Sequence, residues 1–226
     1  DVYKRQTTGR LNLGVVGVND APTLTVTAGT PTFTEGTGNA QGAAVTLFSG
    51  AAAATGPANE SAQRLTSLTA TVSGLQDGAN EVLRIDGTNV SLTNGTSGTT
   101  TASSIAFSVS VTAGVATVTM TPPTSSESSV FNTLINGLAY QNTEVNRPTP
   151  GNRVVTITRL SDNGGTANNG QDTATLNLSS TVSVTAVNDA PEVTTTATAR
   201  SYTENAAAIV ANNDLSLSDV DSANLT

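Results

Sequence analysis

One five-residue block occurs twice in this chain. Val18-Asn19-Asp20-Ala21-Pro22 returns as Val187-Asn188-Asp189-Ala190-Pro191, an offset of 169 residues. The match continues without gaps at that offset. Thr25, Thr27 and Ala28 fall on Thr194, Thr196 and Ala197, and Phe33-Thr34-Glu35 falls on Tyr202-Thr203-Glu204. Ten of the 18 positions from 18 to 35 are identical to those from 187 to 204. Upstream, Leu13, Val15 and Gly17 fall on Val182, Val184 and Ala186. A fixed period of this kind is the mark of a tandem array, in which each unit contacts only its neighbours. The expected division is residues 7–17 as the last strand of a preceding repeat, 18–186 as one whole repeat, and 187–226 as the start of the next. Residues 1–6 (DVYKRQ) fit none of this pattern and read as an artefact outside the fold. The chain is expected to be an internal slice of a longer array.

The unit so defined is rich in strand signals. Ile105, Phe107, Val109 and Val111 alternate with small or hydroxyl residues. After Ala113-Gly114, Ala116, Val118 and Met120 alternate with threonines, giving a β-hairpin with one buried face. Leu68-Ala70-Val72, Leu83-Ile85, Val155-Ile157 and the long run from Ala174 to Ala186 show the same period of two. Thr124-Ser125-Ser126-Glu127 has capping-box spacing. The apolar residues Val130, Phe131, Leu134, Ile135 and Leu138 then follow at helical spacing up to Gly137, which predicts one helix over 125–136. Clusters of Gly, Ser, Thr and Asn at 93–103 and 163–171 read as loops. Many strands, one helix and no strand–helix alternation predict an all-β fold, an antiparallel β-sandwich with one short inserted helix.

Composition narrows the chemistry. The chain has no Cys, His or Trp, and aromatics make up 3%. Disulfides, thiolate zinc sites and Cys nucleophiles are therefore excluded, as are His bases and His ligands. Phe131 and Tyr140 are expected in the core. The formal net charge of −8 opposes nucleic-acid binding and favours divalent cations. No apolar run approaches the ~20 residues that span a bilayer, so no membrane insertion is expected of this segment.

A strand ending in Val-Asn-Asp-Ala-Pro resembles the linker of cadherin repeats, and most of all the bacterial cadherin-like tandem repeats of large surface and adhesin proteins. Aromatic-Thr-Glu at 33–35 and 202–204, Asp219-Val220-Asp221, Leu160-Ser161-Asp162-Asn163-Gly164 and the segment Leu134–Thr143 follow in family order. The resemblance covers residues 7–226. It implies a Greek-key, cadherin/immunoglobulin-like sandwich in tandem array, an extracellular or bacterial cell-surface location, and calcium at the inter-repeat linkers. At the linker 187–191 the implied ligands are Glu35, Asn188 through its carbonyl, Asp189, Asp219 and Asp221. At 18–22 they are Asn19, Asp20 and Asp162, with Glu60 secondary. Glu204, in the second aromatic-Thr-Glu motif, is implied as a ligand as Glu35 is. The chain departs from the family where Gly17 and Ala186 replace an Asp, and where Ala21 and Ala190 replace an Asn. Gln141-Asn142-Thr143-Glu144 is the nearest segment to the family's Leu-Asp-Arg-Glu. These departures imply one weaker ion, or none, in place of a multi-ion cluster.

The expected function is a non-catalytic structural or adhesive repeat. Its partners would be the neighbouring repeats, with cell-surface or matrix ligands reached through other domains. Two alternatives carry other chemistry. A carbohydrate-binding module would need exposed aromatic platforms. A carboxylate glycosidase would need two acids across a cleft, whereas the acids here gather at repeat boundaries.

Overall fold

The computed structural model describes residues 17–57, 60, 62–195, 199–212 and 214–222. The expected artefact at 1–6 and the expected strand of a preceding repeat, up to residue 16, lie outside the described residues.

The β-branched and Thr-rich runs form strands, and the alternation decides which face each strand buries. The first layer orders β2 (Thr32–Thr34), β13 (Thr173–Thr185), β12 (Gly151–Asp162), β5 (Leu65–Ser73), β10 (Val115–Thr121), β9 (Ala106–Thr112) and β8 (Ser97–Thr99). The second layer orders β3 (Val45–Thr46), β11 (Ala139–Asn142), β6 (Glu81–Ile85) and β7 (Thr88–Ser91). It is extended by the pair β1 (Thr23–Ala28) and β4 (Phe48–Ala54). Only Leu47 separates β3 from β4, and its N–H donates to the Leu138 carbonyl, so the two form one bent strand shared by both pairings. The sheets are antiparallel except where β2 lies parallel to β13, with Thr32 opposite Ser183 and Thr34 opposite Thr185. The chain reaches that position by crossing from the second layer to the first between β1 and β2.

Leu68, Ala70 and Val72 on β5, Ala116, Val118 and Met120 on β10, and Val155 and Ile157 on β12 are wholly buried. Each large aliphatic side chain so buried stabilises the fold by roughly 1.5–3 kcal/mol. Phe33 of the first layer meets Tyr140 of the second edge to face, with ring centroids 5.9 Å apart. Ala113 and Gly114 both take positive φ, 51° and 76°, and close the β9–β10 hairpin as predicted.

Two sequence expectations need correction. The 93–103 segment is not loop throughout, because β8 pairs with β9 inside it. The helix α1 spans Ser128–Asn136, and Glu127 occupies its N-cap without a side-chain cap bond. The capping box fails because Ser126 is used elsewhere. Its backbone pairs with Leu65 in both directions, and its hydroxyl bonds the Thr124 carbonyl. Gly137 does end the helix, in a right-handed conformation. The helix also covers the free edge of β4. Asn132 and Asn136, one turn apart, accept hydrogen bonds from the backbone N–H groups of Ala53 and Ala51 at 2.7 and 2.9 Å. An exposed strand edge is thereby satisfied by side chains rather than left as a template for another chain.

Beyond residue 186 the structure is sparse. β14 (Glu192–Thr194) pairs antiparallel with β15 (Ser216–Ser218), and the residues of both are exposed.

Candidate functional site

The 13-residue strand β13 sets the geometry. At roughly 3.3 Å per residue it spans about 40 Å. The first Asn-Asp block meets the residues just before it, and the second block follows its end, so the two blocks lie at opposite poles of the unit.

At the first pole the turn between β12 and β13 brings Asp162 to the first Asn-Asp block. Asn19 donates through Nδ2 to Asp162 Oδ1 at 3.1 Å and to the Gln171 carbonyl at 2.7 Å, and its own carbonyl accepts from the Gln171 N–H. The Gly164 N–H also donates to Asp162 Oδ1, at 2.8 Å. The Asp20 N–H donates to Glu60 Oε1 at 3.0 Å, while the Asp20 residue itself is exposed. Asn19, Glu60 and Asp162 are 8%, 7% and 5% exposed. Each keeps one buried oxygen, Asn19 Oδ1, Glu60 Oε2 and Asp162 Oδ2, that accepts no hydrogen bond from the protein.

At the second pole Glu35 is 4% exposed. Its Oε2 accepts from the Val187 N–H at 2.9 Å, and its Oε1 accepts from nothing in the protein. Burial pushes the Glu35 carboxyl above its ordinary value. The Val187 N–H opposes that rise, and the charges of Asp189, Asp221 and Glu144 add to it. Asp189 accepts from the Gly38 N–H at 2.6 Å and donates its own N–H to Asp221 Oδ2 at 2.5 Å. Asp219 Oδ1 accepts from the N–H groups of Asp221 and Ser222. Asn188 is exposed, and its Nδ2 donates to the Asp189 carbonyl.

The predicted ligands thus gather as two groups. Asn19, Asp20, Glu60 and Asp162 meet at one pole, and Glu35, Asp189, Asp219 and Asp221 at the other. Glu204 is exposed in a turn, and no hydrogen bond joins it to either group. Among the described residues no three acidic side chains converge as a ready-made metal cage. The donor chemistry nevertheless suits a hard cation, because the partnerless groups at both poles are carboxylate and amide oxygens.

Sequence reasoning missed a buried ion cluster. Arg153 and Glu81 are both wholly buried and joined at 2.5 Å, with Asp77 on a second guanidinium nitrogen at 3.2 Å. The Tyr140 hydroxyl donates to Glu81 at 2.9 Å, and Asn142 donates to Asp77 at 2.6 Å. Burial alone would pull the Arg153 pKa down, but the bond and charge of Glu81 raise it. Burial and then Glu81 push the Tyr140 hydroxyl far above its ordinary range. One signal was available, a charged residue at an inward position of β12, since Arg153 shares the period of Val155 and Ile157. Arg153 and Glu81 are fully enclosed, Asp77 is nearly so, and the cluster ties β12 to β11 and β6, so it reads as structural.

No family model matches the chain, no curated protein matches it, and no solved structure matches it.

Proposed function

We propose that this chain is a non-catalytic structural segment of a repetitive cell-surface or exported protein, resembling the bacterial cadherin-like repeats. Its two acidic poles serve as cation-stiffened joints between successive units. One observation carries the reading. Among the described residues, the buried side-chain atoms without a protein hydrogen-bond partner are Asn19 Oδ1, Glu35 Oε1, Glu60 Oε2, Gln63 Oε1, Asp162 Oδ2 and a single nitrogen, on Arg153. All the oxygens belong to the two poles or to Gln63, whose N–H bonds the Glu60 carbonyl. An orphaned buried acceptor costs about 1–3 kcal/mol, and a charged one more. Four of them stand at the repeat boundaries, three together at the first pole, and suit a partner that supplies positive charge to several oxygens at once.

Calcium has that chemistry. It takes six to eight oxygen ligands, and extracellular modules bind it at about 10⁻⁴ to 10⁻³ M. Asn19, Asp20, Glu60 and Asp162 would hold it at the first joint, and Glu35, Asp189, Asp219, Asp221 and the Asn188 carbonyl at the second. Bound there, it would offset the burial and the neighbouring charges that raise the Glu35 pKa and link one unit to the next.

The second copy of the repeat supports the tandem reading. β14 and β15 pair antiparallel as β1 and β4 do, with Val193 opposite Leu217 where the first copy sets Leu24 opposite Ala53. Val193 and Tyr202 are 57% and 59% exposed, while their counterparts Leu24 and Phe33 are 7% and 0% exposed. Among the described residues of the second copy, Val193, Tyr202 and Leu217 form an exposed apolar set.

The test is thermal melting of the 226-residue chain in calcium, in magnesium and in chelator. Calcium at millimolar concentration is expected to raise the melting temperature by several degrees, and magnesium by less. Equal melting in calcium and in chelator would dispose of the cation joints.

A further inference from the structure

We propose that Gly164 is a positioning residue of the first joint, the steric reason that the Asn19 amide can present its oxygen there. The inference rests on the cation reading of that joint. A Cβ built on Gly164 would stand 2.0 Å from Asn19 Oδ1 and 2.2 Å from Asn19 Cγ. No side chain larger than hydrogen fits while the amide stays in place.

The amide has little room to retreat. Its nitrogen is held by Asp162 Oδ1 and the Gln171 carbonyl, its own backbone carbonyl is held by the Gln171 N–H, and Gly170 packs so close that a Cβ there would come within 3.1 Å of Asn19 Cβ. Gly164 does not have positive φ, so alanine meets no backbone strain there and the effect of a methyl is purely one of space. Glu60 repeats the arrangement. Its partnerless Oε2 would lie 1.9 Å from a Cβ on Gly56, although the positive φ of Gly56, 150°, makes that position strained for any side chain. Two partnerless oxygens of one joint are thus seated against glycines, and Gly164 is the cleaner probe.

The experiment isolates the first joint by silencing the second. In Glu35→Gln the calcium shift that remains reports the first joint. Adding Gly164→Ala is expected to weaken that response at least tenfold in calcium midpoint, while adding Gly17→Ala, whose Cβ meets nothing within 4 Å, leaves it unchanged. An unchanged midpoint in Glu35→Gln/Gly164→Ala would overturn the proposal, as would a complete loss of response in Glu35→Gln alone. A wild-type chain that ignores calcium would sink the cation reading itself, and that outcome is visible before any variant is made. Should Gly164→Ala melt too early to titrate, Asn19→Ala/Gly164→Ala decides. Removing the amide relieves the clash, so the double variant is expected to melt in chelator with Asn19→Ala. If it melts as early as Gly164→Ala, the obstruction lies elsewhere and the assignment is wrong.

Discussion

The two copies of the repeated segment share most of their sequence and differ in almost everything packing can give. In the first copy Phe33 is sealed against Tyr140, and Glu35 is 4% exposed. In the second, Tyr202 is 59% exposed, and Glu204 lies exposed in a turn. Local propensity is nearly the same in both, so it does not explain the contrast. What differs is the partner. β2 exists because β13 offers it a parallel edge at Ser183–Thr185 and β11 offers it a face. Among the described residues no strand stands beside Tyr202-Thr203-Glu204 in that way. The strand state of the motif is therefore a tertiary property, conferred by elements more than a hundred residues away in sequence.

That contrast can be broken most forcefully by deleting the aromatic ring from each copy. Phe33→Ala is expected to destabilise the chain by about 3–5 kcal/mol, since it empties a fully enclosed site between the layers. Tyr202→Ala is expected to change stability by less than about 0.5 kcal/mol, as surface replacements do. Denaturant unfolding followed by circular dichroism measures both. Similar losses in the two variants would mean that the second copy is packed after all.

The acids of the two motifs give the next largest difference. Full calcium stabilisation at a hundredfold excess over Kd amounts to about 2.7 kcal/mol per site. Glu35→Gln is expected to remove the second joint's share, and Glu204→Gln to remove none, because only Glu35 lies in the field of Asp189, Asp221 and Glu144. Equal calcium shifts in the two variants would show that Glu35 binds nothing and is merely a buried acid.

How much of this was legible beforehand follows from the same physics. The strands announced themselves because a half-buried sheet imposes a period of two, visible from Leu68 to Val72 and from Ala116 to Met120. The hairpin turn was legible because Gly114 separates two alternating runs; that Ala113 also takes a left-handed φ was not, since that conformation is costly for a residue with a Cβ. The gathering of Asn19 with Asp162, and of Glu35 with Asp189 and Asp221, was reached through motif resemblance, since residues 143 and more positions apart carry no periodic signature. The helix start was misplaced because a local capping box competes with long-range pairing, and Ser126 went to Leu65. The Arg153–Glu81 cluster stayed hidden because one charged residue in an apolar register looks like an interruption of a strand until its partner is seen across the core.

The smallest expected effect concerns protons, and it separates the copies without any cation. Burial, with three neighbouring carboxylates, raises the Glu35 pKa above its ordinary value of 4.5. A carboxyl whose folded pKa is raised holds its proton more tightly in the folded state than in the unfolded one. Folding is therefore favoured where the group is protonated, and this contribution is lost as pH rises through the folded value. In chelator, the wild-type chain should gain stability relative to Glu35→Gln as pH falls from neutrality toward 4.5, and Glu35→Gln should be the more stable of the two at neutral pH. Glu204, exposed in the second copy, has no comparable burial to lose. Parallel stability–pH curves for wild type and Glu35→Gln would mean that Glu35 carries no burial penalty, and the contrast between the copies would then reduce to their apolar residues alone.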